Sequence, residues 1–344
     1  MEKDLKSNTV AGLERLVVGL GQPKYLAGYI FSAIHAHGVN DISAITTLSK
    51  LLRAKLVEEG CYISKLDVVD KLTDPDDGTV KYVFGLPDGG RIESVLLFDD
   101  DRRTLCVSTQ VGCDMGCVFC ATGRLGLERN LTAGEIVDQV NVAGGDARIS
   151  NVVFMGMGEP LANYDAVLDA IRILNNSKGR NIGIRHLTMS TCGLIEGIER
   201  LADESIQPRL AISLNAPTDA IRQKLMPITK RYPLNKLFAA VTRYQRKTRN
   251  RVTFEYCLIK GINDTVLHAQ MLVKRLRGIM CNVNLIEYNP HPGCGLKSGG
   301  RQAIERFAGV LKDAGVETTI RLKMGQKINA ACGQLGSKRT GKSE

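Results

Sequence analysis

The sequence predicts an α/β protein: a partial barrel of six βα units, preceded by a small helical domain and a β-hairpin linker. Three observations support this: helical apolar spacing near the N-terminus, a turn-rich region after it, and a long alternation of strands and helices. A chain of 344 residues that is 44% hydrophobic can bury a core of this size. We predict four segments: residues 1–60 (helical accessory domain), 61–100 (hairpin linker), 101–325 (barrel) and 326–344 (C-terminal tail).

Apolar residues recur at three-and-four spacing in the first 60 residues, which predicts three helices. These are Val10–Val18, Tyr25–His35 and Leu48–Val57. The next 40 residues contain strand-like runs separated by turn-forming Asp, Gly and Pro residues. The runs are Tyr62–Val69, Lys81–Gly85 and Ile92–Phe98. The acidic stretch Asp99–Asp101 is a candidate boundary between the linker and the barrel.

Strand patterns alternate with helical patterns after this boundary, which predicts parallel strands joined by right-handed crossovers. The predicted strands are Thr104–Thr109, Asn151–Met155, Ile184–Ser190, Pro208–Leu214, Val252–Leu258 and Val283–Tyr288. The helices between them are Ala133–Ala143, Tyr164–Leu174, Leu194–Ala202, Leu234–Tyr244 and Val266–Leu276. A further helix, Arg301–Ala314, and a strand, Thr318–Leu322, follow. In such a barrel, functional groups gather on the loops that follow the strands.

Three cysteines follow the first barrel strand in the run VGCDMGCVFCATG, with the spacing C-x3-C-x2-C. Cys113, Cys117 and Cys120 can hold three irons of a [4Fe–4S] cluster and leave the fourth iron open to a small molecule. The alternatives are three buried thiols or a zinc site, but zinc takes four ligands, commonly in two separated pairs. The spacing therefore favours an iron–sulfur cluster.

Composition and charge restrict the class of protein further. Ten cysteines indicate metal or redox chemistry rather than a disulfide framework, and a reducing compartment. We expect a cytoplasmic protein without membrane contact, because no apolar run could span a bilayer and no hydrophobic signal core begins the chain. Residues 1–100 carry 11 Lys+Arg against 15 Asp+Glu, and the remainder carries 35 against 21. The basic barrel favours a polyanionic substrate such as nucleic acid, although many basic enzymes have none.

Polar motifs follow several predicted strands, at the positions where the barrel rim should lie. Gly156–Pro160 follows the second strand, Ser190–Gly193 the third, Ser213–Pro217 the fourth and Glu287–Pro290 the sixth. Glycines let the backbone approach a ligand closely. Carboxylate, hydroxyl and amide partners come from Glu159, Ser190, Ser213, Asn215 and Asn289. Their convergence on one rim predicts a binding site beside the cysteines.

Several long motifs, in one order, resemble the RlmN/Cfr family of radical S-adenosylmethionine (SAM) RNA methyltransferases. The matching runs, from about Glu93 to Leu335, are LCVSTQVGC, CVFCATG, RNLTAGEI, MGMGEPLAN, AISLNAP, MPI…RYP, NLIEYNP and INAACGQL. The resemblance implies a radical SAM barrel with one [4Fe–4S] cluster per chain and two molecules of SAM per turnover. It also implies that the substrates are 23S ribosomal RNA and tRNA, and that the N-terminal helices bind RNA.

Carried over residue by residue, the resemblance assigns Cys113, Cys117 and Cys120 as the cluster ligands. Cys332 resembles the cysteine that becomes methylated, Cys106 the cysteine that forms a disulfide with it, and Glu93 the proton acceptor. The SAM contacts implied are Gly158, Glu159, Ser190, Ser213, Leu214, Asn215 and Asn289. Asn215 departs from the family pattern, because many relatives carry His there, but an amide keeps hydrogen-bonding capacity.

The implied reaction methylates C2 of adenine, which is electrophilic and carries no acidic proton, so the cofactor has to supply radical chemistry. The Cys332 thiolate takes a methyl group from one SAM. A second SAM is cleaved reductively, its radical removes hydrogen from methylated Cys332, and the resulting carbon radical adds to C2. Glu93 accepts the proton from C2, and Cys106 releases the product by attacking the Cys332 sulfur. We therefore expect an external electron donor and a disulfide reductant as partners, and a monomeric enzyme.

Two other functions remain open at this stage. One is Cfr-like methylation of the ribosomal adenine at C8, which confers antibiotic resistance; Pro160 favours C2, because Cfr-like sequences tend to have Ala there. The other is a non-catalytic RNA-binding protein whose cluster has a fourth protein ligand. A candidate RNA-binding face comprises Arg243, Arg246, Lys247, Arg249 and Arg251, which could equally be a solvated helix end.

Overall fold

A computed structural model describes residues 3–291 and 293–337 of the chain. Its N-terminal region contains the three predicted helices, α1 (Val10–Gly19), α2 (Leu26–His35) and α3 (Lys50–Glu58). The hydroxyls of Thr9 and Ser49 accept N–H groups in the first turns of α1 and α3, which fixes where these helices begin. Within the described residues, none of the helices combines the length and the apolar character needed to cross a membrane.

An antiparallel meander follows, comprising β1 (Asp67–Thr73), β2 (Val80–Gly85), β3 (Arg91–Asp99) and β4 (Arg102–Cys106). The prediction that the first strand begins at Tyr62 is wrong. Residues 62–66 dock the N-terminus instead: the N–H and hydroxyl of Ser64 both donate to the Asp4 carboxylate, at 2.9 and 2.7 Å. Such a long-range contact has no local sequence signal.

The acidic stretch Asp99–Asp101 is a turn between two paired strands. Asp100 has a φ of 48°, and β3 pairs antiparallel with β4 from Val95–Cys106 to Asp99–Arg102. The hairpin strands therefore continue the barrel sheet through unbroken hydrogen bonding, where the sequence suggested a boundary.

The remaining strands are β5 (Gln110–Cys113), β6 (Gly126–Asn130), β7 (Asn151–Phe154), β8 (Leu187–Thr191), β9 (Arg209–Ser213), β10 (Val252–Leu258), β11 (Cys281–Glu287) and β12 (Thr318–Ile320). The remaining helices are α4 (Ala133–Ala143), α5 (Tyr164–Asn175), α6 (Ile195–Leu201), α7 (Asp219–Leu225), α8 (Leu234–Thr248), α9 (Val266–Leu276) and α10 (Gly300–Asp313). One ten-stranded sheet has the order β1-β2-β3-β4-β7-β8-β9-β10-β11-β12, and its pairs from β4 to β12 are parallel. The six predicted βα units and the radical SAM barrel fold are confirmed.

Two features of the fold were not predicted from the sequence: the β5–β6 strand pair and helix α7. The β5–β6 pair is a separate two-stranded sheet with a register shift between Val111 and Gly112, which obscures the alternating pattern of a strand. Helix α7 has only seven residues, too few for its periodicity to stand out. Both elements lie next to the loops that carry the polar motifs.

The hydrophobic core lies between the sheet and the helices that cover it. Leu105, Val152, Leu187 and Phe254 on the strands are fully buried. Ile136 on α4 is among the apolar helix residues that belong to the same cluster. Burial of this continuous apolar surface drives the helices onto the sheet and holds the strand ends in fixed positions.

A buried ion pair docks the N-terminal region onto the barrel. The Lys6 ammonium, which is 0% exposed, donates to Asp138 on α4 at 2.6 Å and to Asn40 at 3.0 Å. The second Asp138 oxygen accepts the N–H of Leu66 at 2.7 Å. One carboxylate thus joins the N-terminus, the chain entering β1 and the barrel.

We predict that Asp138→Ala lowers the free energy of unfolding by about 3–5 kcal/mol, because it leaves the Lys6 ammonium buried without its counter-ion. Denaturant unfolding of the full chain measures this loss. The control is Arg301→Ala, which removes an exposed ion pair with Glu305 and should cost less than about 1 kcal/mol. Equal losses in the two variants would contradict the role of the buried pair.

Candidate functional site

The three motif cysteines lie together in one loop at the barrel rim. Cys113 ends β5 and is buried, while Cys117 and Cys120 lie in the following loop and are half-buried. Gly112 shapes this loop: its φ is 78°, and a Cβ there would collide with the Gly126 carbonyl oxygen. Burial raises the pKa of Cys113 to about 12 and that of Cys117 further, and the neighbouring motif thiols add to both shifts.

The three motif thiols are of the donor type that an iron–sulfur cluster takes. Among residues 3–291 and 293–337, no group of three His, Cys, Asp or Glu side chains is placed to hold one metal ion. A cubic cluster needs thiolates set apart around its corners, which one loop carrying three free cysteines can supply. Metal-bound thiols are deprotonated outright, so a bound cluster would replace the neutral buried thiols with thiolates.

The Gly-Glu-Pro motif connects neighbouring strand ends. Gly158 has a φ of 104°, and a Cβ there would lie 2.6 Å from the Gln110 side chain, so only glycine fits. The buried Glu159 accepts N–H groups from Cys192 at 2.7 Å and from Leu161 at 3.1 Å. Burial raises the pKa of Glu159, and the N–H donors, led by Cys192, oppose that shift. The carboxylate therefore holds the loop after β7 against the end of β8.

Asn215 links two further strand ends. Its φ is 58°, and its buried side-chain oxygen accepts the Cys257 N–H at 2.8 Å. Its backbone carbonyl accepts from the Asn263 amide at 2.7 Å. The side chain is thus engaged in holding the loop after β9 to β10, and a contact with SAM remains a prediction. Ser190 and Ser213 are half-buried near the ends of β8 and β9, and Leu214 is fully buried.

Asn289, which follows β11, uses only one side of its amide. Its N–H donates to the Cys332 carbonyl at 3.3 Å, while its buried Oδ1 accepts no hydrogen bond from residues 3–291 or 293–337. A buried acceptor left unpaired costs free energy. A ligand that carries an ammonium or amino group would satisfy it, and SAM carries both. This observation supports a fit between the rim residues and SAM.

The C-terminal tail brings the predicted catalytic thiol to the rim. The residues after Cys332 are hydrogen-bonded to the cysteine loop: Ala121 N–H donates to the Gly333 carbonyl at 2.8 Å, and the Thr122 hydroxyl to the Leu335 carbonyl at 2.7 Å. Cys332 itself is exposed. Its tail position is therefore fixed while its sulfur remains accessible.

Cys106 ends β4 and is half-buried. Burial, with a smaller contribution from the nearby Cys332 thiol, raises its pKa to about 12, and the Arg321 charge opposes this shift. Burial likewise raises the pKa of Cys120, with the charge of Cys332 as a further contribution. Cys332 thus lies near both the cysteine loop and Cys106, as a residue that serves both would have to.

Glu93, on β3, lies beside the same tail. Its carboxylate accepts the Gly336 N–H at 3.1 Å, and the Lys81 ammonium lies 3.9 Å from its other oxygen. Both side chains are buried. Burial raises the pKa of Glu93, and the Lys81 charge partly counteracts this. A carboxylate with a raised pKa is suited to accept a proton near neutral pH.

Arg222, on α7, is a site residue that the sequence analysis missed. It is 0% exposed, and its guanidinium donates to the carbonyls of Cys192 at 2.5 Å, Ser213 at 3.1 Å and Leu214 at 3.1 Å. Burial lowers its pKa, and the neighbouring Cys192 and Cys117 thiols oppose that shift. An arginine on a short helix carries no sequence signal, because the same pattern describes an exposed cation.

The basic residues of the predicted RNA-binding face are partly neutralised within the chain. Arg243 pairs with Glu199, Lys247 with Asp203 and Arg251 with Glu317, all at exposed positions. These pairs agree with the alternative of a solvated helix end. Binding of RNA at this face remains a prediction.

Two sequence families match this chain. Residues 3–62 match the Ribosomal RNA large subunit methyltransferase N-terminal domain, and residues 107–270 match the Radical SAM superfamily. The first match covers the helical region and the second covers the cysteine loop and the parallel strands from β7 to β10. The two matched ranges thus include the cysteine loop and the Gly-Glu-Pro motif, while Glu93, Asn289 and Cys332 lie outside them.

Full-length relatives are similar throughout. A probable dual-specificity RNA methyltransferase RlmN from Thermoanaerobacter sp. (strain X514) is 45% identical over 97% of this chain and 98% of its own length. A dual-specificity RNA methyltransferase RlmN from Syntrophobacter fumaroxidans is 46% identical over 96% of this chain and 97% of its own. The crystal structure of a radical SAM methyltransferase from Sphaerobacter thermophilus is 45% identical, with a TM-score of 0.91 over 97% of this chain and 99% of its own.

We predict that Arg222→Lys lowers the free energy of unfolding by about 2–4 kcal/mol, because one ammonium group cannot serve three carbonyls that the guanidinium fork reaches together. The iron content after anaerobic reconstitution should fall as well, since the rim loops lose their shared anchor. Denaturant unfolding and iron analysis measure the two effects. The matched Arg306→Lys, at an exposed position on α10, should stay within about 0.5 kcal/mol of wild type; unchanged stability of Arg222→Lys would contradict the anchor.

Proposed function

The chain belongs to the RlmN family of radical SAM RNA methyltransferases, and we propose that it methylates C2 of a specific adenine in 23S ribosomal RNA and of an adenine in tRNA. One observation carries the proposed reaction: the accessible Cys332 thiol lies in a tail that is bonded to the cysteine loop and lies near Cys106. This arrangement suits a thiol that carries a methyl group between a cofactor and a base.

Proteins of the radical SAM superfamily use a [4Fe–4S] cluster and SAM. In the proposal, Cys113, Cys117 and Cys120 hold the cluster. The rim residues proposed to hold SAM are Gly158, Glu159, Ser190, Ser213, Leu214, Asn215 and Asn289. Together, the bound cluster and SAM supply the methyl group and the one-electron chemistry that can remove hydrogen from an unactivated carbon.

The chemistry of the target carbon explains why the protein needs a thiol of its own. C2 of adenine is electrophilic, so it cannot take a methyl group by acting as a nucleophile. A thiolate can, and Cys332 is proposed to accept the methyl group by displacement. The methyl carbon then joins C2 while still bonded to the Cys332 sulfur, which forms a covalent link between protein and RNA.

Two buried residues are proposed to complete the reaction. Glu93 accepts the proton that leaves C2, and its raised pKa brings its basicity closer to neutral pH. Once the adduct has passed its unpaired electron to an acceptor, the Cys106 thiolate attacks the Cys332 sulfur and the disulfide forms. The sulfur–carbon bond breaks, and the carbon keeps the electron pair and takes a proton to become the methyl group of the released base. An external reductant has to return both thiols to their starting state, and an external donor has to supply the electron.

The adenine has to leave its stack to reach Cys332. A base within a helix is not accessible to a side chain at a barrel rim, so we propose that the enzyme acts on a splayed or flipped nucleotide. The helical region that matches an RNA methyltransferase N-terminal domain is proposed to hold the surrounding RNA. We propose that the enzyme acts on RNA in the cytoplasm.

We predict that RNA exposed to this enzyme gains 2-methyladenosine, detected by nucleoside mass spectrometry in cells with and without the gene. Detection of 8-methyladenosine alone would identify a C8 methyltransferase of the Cfr type and contradict the proposal.

In protein purified as Cys106→Ala, Cys332 should carry an added methylene carbon and remain linked to RNA, since no thiol can release it. An unmodified, RNA-free Cys332 in this variant would contradict its assigned role.

We predict that Glu93→Gln slows RNA methylation by roughly 10²–10⁴-fold, the usual contribution of a general base, while SAM cleavage continues. Wild-type activity should fall as the pH drops through the raised pKa of Glu93, because only the ionised carboxylate accepts a proton. The midpoint of this acidic fall in the pH–rate profile should therefore lie above the usual pKa range of an exposed glutamate. The fall should be absent in Glu93→Gln. If the acidic fall in activity persists in Glu93→Gln, a different titrating group causes it and the assigned role of Glu93 is contradicted.

A further inference from the structure

The loop that leads to Cys332 is held by the hairpin turn between β1 and β2. We call residues 325–329 the tail strap; they lie between β12 and the Cys332 segment. Residues 74–79 form the hairpin turn. The two segments are some 250 positions apart in the chain, and the turn contains the motif Asp-Pro-Asp-Asp-Gly-Thr, which the proposed reaction does not use.

Two carboxylates of the turn bind backbone N–H groups of the strap. Asp77 accepts the Gly325 N–H at 2.8 Å and, with its other oxygen, the Thr79 N–H at 2.9 Å. Asp74, only 2% exposed, accepts the Lys327 N–H at 3.0 Å and, with its other oxygen, the Asp76 N–H at 3.0 Å. Each carboxylate therefore accepts one hydrogen bond from within the turn and one from the strap.

The contact is also sterically tight. Gly325 has a φ of 68°, and a Cβ there would lie 2.8 Å from Ala330 and 2.9 Å from the fully buried Thr79. Next along the hairpin, the buried Lys81 ammonium donates to the Asn329 carbonyl at 3.4 Å. The strap thus has contacts along its whole length, from Gly325 to Asn329.

We propose that this turn is a clamp that sets the position of the Cys332 thiol, with Asp74 and Asp77 as positioning residues; the proposal rests on the proposed role of Cys332. The segment after Cys332 is bonded to the cysteine loop and to Glu93, so the clamp provides the anchor on its other side. A thiol held between two anchors stays within reach of both the cysteine loop and Cys106. With the strap released, the segment before Cys332 would lose its contacts with the hairpin turn, while the contacts of Cys332 and of the residues after it with the rim would remain.

The test compares Asp77→Asn and Asp74→Asn in the full-length, cluster-loaded enzyme. An amide offers one acceptor oxygen in place of two, so each variant loses one of its two N–H contacts. The control is Asp165→Asn on α5, outside the turn and the strap, which removes an exposed ion pair with Arg200. Two quantities are measured: methylated adenine formed per SAM cleaved, and the rate of Cys106–Cys332 disulfide formation under anaerobic oxidised glutathione without RNA or SAM.

We expect both quantities to fall by about tenfold or more in Asp77→Asn and Asp74→Asn, because a hydrogen bond to a charged group contributes at least about that factor. Asp165→Asn should stay within about twofold of wild type. Wild-type values in the two clamp variants, or an equal loss in the control, would overturn the proposal. If the buried Asp74 is needed for folding, the less buried Asp77 provides the same comparison.

The disulfide measurement separates this inference from the proposed function. It needs only two nearby thiols, with glutathione disulfide reduced as the protein disulfide forms. Suppose that the wild-type enzyme methylates no RNA, but that Asp77→Asn forms the Cys106–Cys332 disulfide more slowly than wild type. This result would support the clamp and contradict the methyl-transfer role of Cys332. Normal methylation coupling in Asp77→Asn would reject the clamp and leave that role intact.

Discussion

The site depends on the parallel arrangement of neighbouring strands from β4 to β11. Parallel strands end on the same edge of the sheet, so the loops that follow them meet at one rim. The cysteine loop, the Gly-Glu-Pro motif, the loop containing Asn215 and the loop containing Asn289 are far apart in the chain but become neighbours there. Hydrophobic packing of the helices against the sheet fixes the strands, and the strand ends in turn fix the positions of the polar loops.

Loops that gather at a rim expose backbone groups that the sheet cannot satisfy, and side chains from neighbouring loops satisfy them. Glu159 binds the N–H after β8, Asn215 the N–H within β10, and Arg222 the carbonyls at the ends of β8 and β9. Each of these side chains joins one loop to the next, so the rim behaves as one connected structure. Within the described part of the chain, the buried Asn289 Oδ1 at this rim has no hydrogen-bond partner.

The continuity of the sheet also accounts for the placement of the tail. Because β1 to β3 extend the barrel sheet, Glu93, Lys81 and the hairpin turn are rigidly fixed relative to the cysteine loop. The C-terminal tail crosses from β12 to this extension and returns to the cysteine loop. An exposed thiol on a segment held at both ends combines accessibility with a defined position, and the proposed transfer of a carbon between two partners requires both.

The sequence alone determined the class of fold and most of its strands and helices, because these depend on local periodicity. From residue spacing it also predicted that the cysteine motif holds an iron–sulfur cluster. Three of its strand or helix bounds, Val252–Leu258, Ala133–Ala143 and Val266–Leu276, are those of the structure. Only the tertiary structure decided that Asn215 binds the backbone of β10, that the buried Arg222 joins two strand ends, and that Asp77 holds the tail. These roles arise from contacts between distant segments, and a side chain looks the same in sequence whether it meets water, a ligand or another backbone.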